Sequence, residues 1–273
     1  MRRSGILVAA LAASGCSYFQ GAKTEEPTPV ESKSTKPAPV STAKLATGPA
    51  VFRAMHDRYD GKYLKSLSFV QNNTSYTTTG DERKSQWYVH IAAPGKMRIA
   101  FLPATQKSGL VQVGDRVASF DNGLRVDFRP AVNPMLLLTT DIFVAPVATI
   151  MRGLDSLRID ADVMHLDDWN GRPVYVIGAK EGDTTSNQAW VDRERLQLLR
   201  VIQRDKAGTR TILSDTQVRN YKNIEGYDVP TEVLVLRNGR PALREQFSDI
   251  RVNEEFPAGT FDQARWNDIP IPK

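Results

Sequence analysis

Short runs in which every second residue is apolar, punctuated by Gly, Asn and Asp, dominate the chain after Gly61, and this alternation leaves few folds open. Trp87, Val89 and Ile91 alternate with Gln86, Tyr88 and His90, and beyond Pro94-Gly95 the set Met97, Ile99 and Phe101 alternates with Lys96 and Arg98. A period of two puts the apolar members of a run on one face of a strand, so these runs read as a hairpin with one buried face. Further strands are predicted at 110–113, 116–120 and 124–128, with turn chemistry at Gly114-Asp115 and Asp121-Asn122-Gly123. The second half predicts strands at 161–167, 172–179, 187–192, 197–203, 209–221, 231–237 and 240–252, with Asn170-Gly171 and Asn238-Gly239 as tight hairpin turns. The expected class is mainly β with some helix (α+β), a series of about 11–12 antiparallel strands.

Residues 134–153 interrupt the alternation with an almost continuous apolar run. Asn133 before Pro134 makes one helix start, Pro146 another, and Gly153 a stop, so two short apolar helices are expected. Asp141, the two prolines and the break at Thr139-Thr140 argue against a membrane span. A first helix is expected from Pro49, with Thr47 as N-cap and Val51, Met55 and Tyr59 forming a narrow stripe that lies on the outside of something larger. Many strands and few helices allow a sandwich, a barrel, or an open half-barrel whose hollow the helices cover.

The N-terminus reads Met-Arg-Arg, an apolar stretch, then Ala13-Ser14-Gly15-Cys16, and Cys16 is the only cysteine. A basic start, a short apolar core and small residues before a cysteine form a lipoprotein leader, here 1–15, with Cys16 acylated after cleavage. A plain secretory leader cut nearby is the alternative. Residues 16–48 are rich in Pro, Thr, Lys and Glu without apolar period, and are expected to form a disordered tether. The globular domain is then 49–273, held by its core alone, since one cysteine cannot pair within the chain.

Formal net charge is +5, spread without a basic run, which argues against a nucleic-acid partner. His56, His90 and His165 lack metal-ligand spacing, and Asp160, Asp162, Asp167 and Asp168 sit beside predicted turns, where Asp is expected for local hydrogen bonding. No Gly-x-Ser-x-Gly, His-Glu-x-x-His or phosphate loop occurs. We therefore predict no catalytic residue, no metal and no cofactor.

Several short stretches carry a resemblance. Ala93-Pro94-Gly95-Lys96-Met97-Arg98-Ile99, the hairpin Val113-Gly114-Asp115-Arg116 to Phe120, Gln188-Ala189-Trp190-Val191-Asp192 followed by Leu198-Leu199-Arg200-Val201, and Phe261-Asp262 near the end follow one another in a characteristic order. In that order and content the chain resembles the periplasmic lipoprotein-localisation family, the LolA-like soluble carrier and its lipid-anchored receptor. The resemblance implies an open antiparallel half-barrel around a hydrophobic hollow, with the 134–153 helices as lid, and a non-enzymatic role in passing lipid or lipoprotein across the periplasm. It departs from the receptor at the loop 103–109, which offers no bulky apolar residue for membrane insertion.

On that reading the chain is a lipid-anchored protein at the periplasmic face of the outer membrane, binding acyl chains of lipoprotein or phospholipid. A monomer is expected, and the membrane is reached through Cys16. Trp87, Val89, Ile91, Met97, Ile99, Phe101, Leu124, Val126 and Phe128 are expected to line the hollow from the sheet, and Met135, Leu137, Phe143, Val147 and Met151 from the lid. The alternative is a periplasmic sensor that binds an envelope protein partner with the same fold. A hydrolase of envelope polymers is the remaining reading, and would need a polar cleft with converging carboxylates.

Overall fold

The computed structural model describes residues 45–59, 62–207 and 209–270; the leader, Cys16 and the tether as far as residue 44 lie outside the described residues. One antiparallel sheet of 13 strands organises the molecule, and it stays open: its order runs β6-β5-β4-β3-β2-β1-β13-β12-β11-β10-β9-β8-β7. The strands are β1 (Ser66–Tyr76), β2 (Glu82–Ala92), β3 (Lys96–Phe101), β4 (Gly109–Val113), β5 (Arg116–Asp121), β6 (Leu124–Pro130), β7 (Met164–Trp169), β8 (Arg172–Ile177), β9 (Gln188–Asp192), β10 (Leu198–Ala207), β11 (Arg210–Ile224), β12 (Tyr227–Arg237) and β13 (Arg240–Val252). Each pair of neighbours is consecutive in sequence except β1 with β13, so two meanders meet at a single seam. Asn122-Gly123, Asn170-Gly171 and Asn238-Gly239 all have positive φ at both positions, the turn whose twist matches a two-residue hairpin.

The seam strand β1 is the one that alternation misses. Its concave-facing residues run Leu67, Phe69, Gln71 and Asn73, so the apolar pattern fades halfway along. Gln71 Nε2 instead donates to Asn73 Oδ1 at 2.8 Å, a side-chain pair that satisfies both amides inside the fold. A polar inner face is invisible to a search for apolar periods.

Because β6 and β7 form opposite edges, the chain between them must cross a face of the sheet, and it crosses the concave one. That crossing holds α2 (Pro134–Thr139), a 3-10 turn at Asp141–Phe143 and α3 (Val147–Ser156). Helix α1 (Gly48–Asp57) packs against α3 and the turn, with the Thr47 hydroxyl accepting from Ala50 N at 3.3 Å as N-cap. Val51, Phe52 and Met55 are wholly buried in the main core, so α1 is an integral layer and not the outlying helix its narrow stripe suggested. Helix α3 runs through Gly153 instead of stopping there. A Cβ on Gly153 would lie 2.7 Å from Leu137 Cδ2, so glycine serves the close crossing of α2 over α3.

Over β3, β4 and β5 the convex face is covered by Trp266. Trp266 stacks on Phe120 with ring centroids 4.5 Å apart, and its indole N–H donates to Lys107 O at 2.9 Å. Arg98, nearly fully buried, places its guanidinium 4.0 Å from the Trp266 ring and donates to Trp266 O at 2.9 Å. A cation on an aromatic face with a carbonyl partner can be tolerated out of water.

Candidate functional site

Between the concave face and the underside of α2 lies a hollow with about 1340 Å³ of atom-free space, mouth included, of which about 130 Å³ is wide enough for a water-sized body to move. Its wall is built by register. Leu67, Phe69 and Gln71 on β1 stand opposite Ile91, Val89 and Trp87 on β2, which stand opposite Met97, Ile99 and Phe101 on β3. Three rungs therefore cross three strands with one buried face. From the other meander, Val229, Val233 and Val235 on β12 and Phe247 on β13 complete the wall. Trp87 and Phe101 pack with centroids 4.9 Å apart, and Phe69 and Phe247 at 4.3 Å.

The cover is held by core packing of Leu136, Leu138 and Ile142 and by a few polar ties. Asn133 Oδ1 accepts from Met135 N and Leu136 N at 2.9 and 3.2 Å, capping α2. Tyr63 donates its hydroxyl to Thr139 O at 3.2 Å. Asp141 Oδ1 accepts from Gly95 N at 2.9 Å, tying the cover to the β2–β3 turn, and burial pushes its carboxyl up to about 6. The Phe143 ring packs on Tyr59 and Tyr63 at 5.0 and 4.5 Å. One carboxyl faces the hollow itself: Glu245 on β13, half-buried, pushed up to about 7 by burial.

Seven of the residues expected at a ligand cavity line this hollow: Trp87, Val89, Ile91, Met97, Ile99, Phe101 and Met135. The others stand elsewhere. Leu124, Val126 and Phe128 are 71, 64 and 50% exposed, a correction with a clear cause. Phe128 pairs with Ala118, whose side chain belongs to the convex cluster, and a register shift interrupts the β5–β6 ladder beside it. Leu137 and Phe143 are buried, but against Gly153 and the Tyr59–Tyr63 pair, outside the lining of the hollow. Val147 and Met151 are half-buried on α3, outside the lining. Sequence reasoning did not name Phe69, Val229, Val233, Val235, Phe247 or Glu245. Period two within β12 was there to read, but only strand pairing shows that β12 and β13 share a wall with β2 and β3.

The polar groups set aside from the sequence sit in local structure. Asp160 and Asp168 accept from backbone N–H groups of their own turns, at Asp162 and Gly171. His165 Nδ1 donates to Ala179 O at 2.8 Å. Burial, aided by the nearby Arg98 guanidinium, lowers His90 to about 4 and so keeps its ring neutral between Tyr88 and Phe256. Among the described residues no cluster of three or more His, Cys, Asp or Glu is placed to hold a metal.

An open antiparallel sheet with helices over its concave face and an apolar hollow between them is the LolA-like half-barrel. Solved structures share it. A Vibrio parahaemolyticus domain described as an outer-membrane lipoprotein-sorting protein is similar with a TM-score of 0.58 at 11% identity, over 80% of this chain and 97% of that one. A LolA-superfamily protein from Nitrosomonas europaea is similar at 0.53 and 14% identity, over 81% and 99%. A DUF1329-family protein from Desulfovibrio piger is similar at 0.56 and 15% identity, over 81% and 98%. No family model matches the sequence, and no curated protein matches it either. What is common at such identities is the fold.

Proposed function

We propose that this chain is a lipid-anchored, non-enzymatic envelope protein that takes acyl chains of lipoproteins or phospholipids into the hollow, in traffic to or at the outer membrane. The observation that carries the reading is the apolar wall from both meanders, roofed by a segment that must span from one sheet edge to the other. Burying an acyl chain yields roughly 0.8 kcal/mol per methylene, so a sixteen-carbon chain gains on the order of 12 kcal/mol at most, and no reacting group is needed. The free space inside is narrow, so a full chain enters as α2 lifts. Cys16 supplies the anchor and the Pro-, Thr-, Lys- and Glu-rich segment after it the tether.

The test is native mass spectrometry of the purified protein followed by organic extraction. Lipid bound at near one per chain, lost in Met135→Asp with its circular dichroism unchanged, is the expected result. Met135 lines the hollow and is only half-buried, so the charge blocks the hollow without entering the core. A clean apo mass with no uptake of added lipid would overturn the reading and favour a protein-binding sensor on the same fold.

A further inference from the structure

The wall of the hollow is graded from polar to apolar along the strands. One rung holds Ser85 on β2, Asn73 on β1, Glu245 on β13 and Val233 on β12, in register. This rung lies at the end where residues 82–86 of β2 are exposed, whereas Leu67, Val89 and Ile91 lie deeper and are buried. A chain inserted tail-first towards Ile91 would leave its head beside Glu245.

That carboxyl stands without a side-chain or backbone partner among the described residues: no hydrogen bond or ion pair reaches Glu245, and the neighbouring Asn73 amide is committed to Gln71. Its own strand presents Leu243 and Phe247 on this side, β12 presents Val233 and Val235, β11 Thr216, and α2 Met135. None of these is charged. Arg244 and Glu232 pair with each other at 3.0 Å on the opposite face. The one other titratable group in the lining is Tyr63, which burial holds neutral, and Asp141 is engaged by Gly95 N. An ionised carboxylate only accepts hydrogen bonds, so a head group that takes the place of water beside it must be a donor.

We propose that Glu245 selects what the hollow takes, favouring amphiphiles whose head is an amine over those with a hydroxyl, and disfavouring those with a carboxylate. In a site of low dielectric an ammonium gains a charge-assisted hydrogen bond, a hydroxyl a weaker one, and a carboxylate meets like charge. A cation-bearing head on an acyl tail, the chemistry of an aminolipid, therefore fits this hollow. This inference rests on the acyl-binding reading above.

The test is isothermal titration of the purified protein with decylamine, decanol, decanoate and ethanolamine, at about pH 8 and about pH 5, repeated with Glu245→Gln. The expected result at the higher pH is decylamine about ten- to a hundredfold tighter than decanol, in line with a hydrogen bond to a charged group, with decanoate weakest. The amine preference should shrink at the lower pH, where Glu245 is protonated, and should vanish in Glu245→Gln, with decylamine and decanol then binding alike. The pH comparison on the unaltered protein reads the same effect should the variant prove unstable. Decanol binding without an amine preference, or a preference that survives Glu245→Gln, would overturn the inference while leaving the acyl-binding reading intact. Ethanolamine binding as tightly as decylamine would overturn it in favour of a small-amine site. Failure of all three chain ligands would overturn the acyl-binding reading and this inference together.

Discussion

A carboxyl that burial holds at about 7 keeps its proton more tightly in the folded chain than in the unfolded one, where Glu titrates near 4.5. Between those two values the folded state binds more protons, so Glu245 removes stability as pH rises from about 4.5 through 7, after which its cost is constant. Glu245→Gln is expected to change little at about pH 4 and to stabilise by on the order of 2 kcal/mol at about pH 8, read from urea midpoints. An equal gain at both values would show that the carboxyl is not desolvated. His90 works in the opposite direction: lowered to about 4, it favours the folded state above the ordinary histidine value of 6.5 and loses that contribution as pH falls towards 4. On the convex face, Trp266→Ala removes a stacked ring and strips Arg98 of its aromatic cover. It should cost about 3–5 kcal/mol, seen as a lower denaturant midpoint with unchanged slope.

Among the elements, the cover differs from the sheet in how it is held. Its polar ties are the Tyr63–Thr139 and Asp141–Gly95 hydrogen bonds and the rest is side-chain packing, of Phe143 on Tyr59 and Tyr63 and of Leu136, Leu138 and Ile142 in the core, whereas each inner strand is hydrogen-bonded along both sides. Local opening draws on the least-bonded unit first. Phe143→Ala is thus expected to speed amide exchange in α2 several-fold while β1, β2 and β3 keep their protection. Uniform acceleration across the sheet would mean that cover and sheet open only together. The edges of the open sheet are protected by chemistry: β6 carries Arg125, Arg129 and Pro130, and β7 carries His165, Asp167 and Asp168. Charges and proline there discourage pairing with another chain.

At the scale of the molecule, two meanders of local hairpins depend on one long-range ladder, β1 with β13, which joins residues 67–75 to 243–252. The hollow straddles that ladder, with lining from both meanders. A ligand bound there touches both halves and none of it survives unfolding, so binding must add to global stability. A chain ligand at a hundred times its dissociation constant should add about 2.7 kcal/mol, which for a domain of this size raises Tm by roughly 5–10 °C. No shift at saturation, with binding confirmed by titration, would place the ligand outside the hollow.

Local chemistry made much of this protein legible without coordinates. Alternation, Asn-Gly turns and a Thr47 or Asn133 cap depend on neighbours a few residues apart, so twelve of the 13 strands, the antiparallel meander and the starts of all three helices could be read from the chain. The inner faces of β2 and β3 followed from the same period. Where the answer depended on a distant partner, the sequence was silent or misleading. Strand β1 hides its inward face behind Gln71 and Asn73, which only each other's amides explain. On the edge strand β6 a register shift against β5 breaks the period of two, and Leu124, Val126 and Phe128 are all exposed. The solvent exposure of a side chain on an edge strand, the joining of two meanders into one wall, and the placing of an unpaired carboxyl at its polar end all arise from ladders between residues far apart in the chain, and tertiary structure alone decides those.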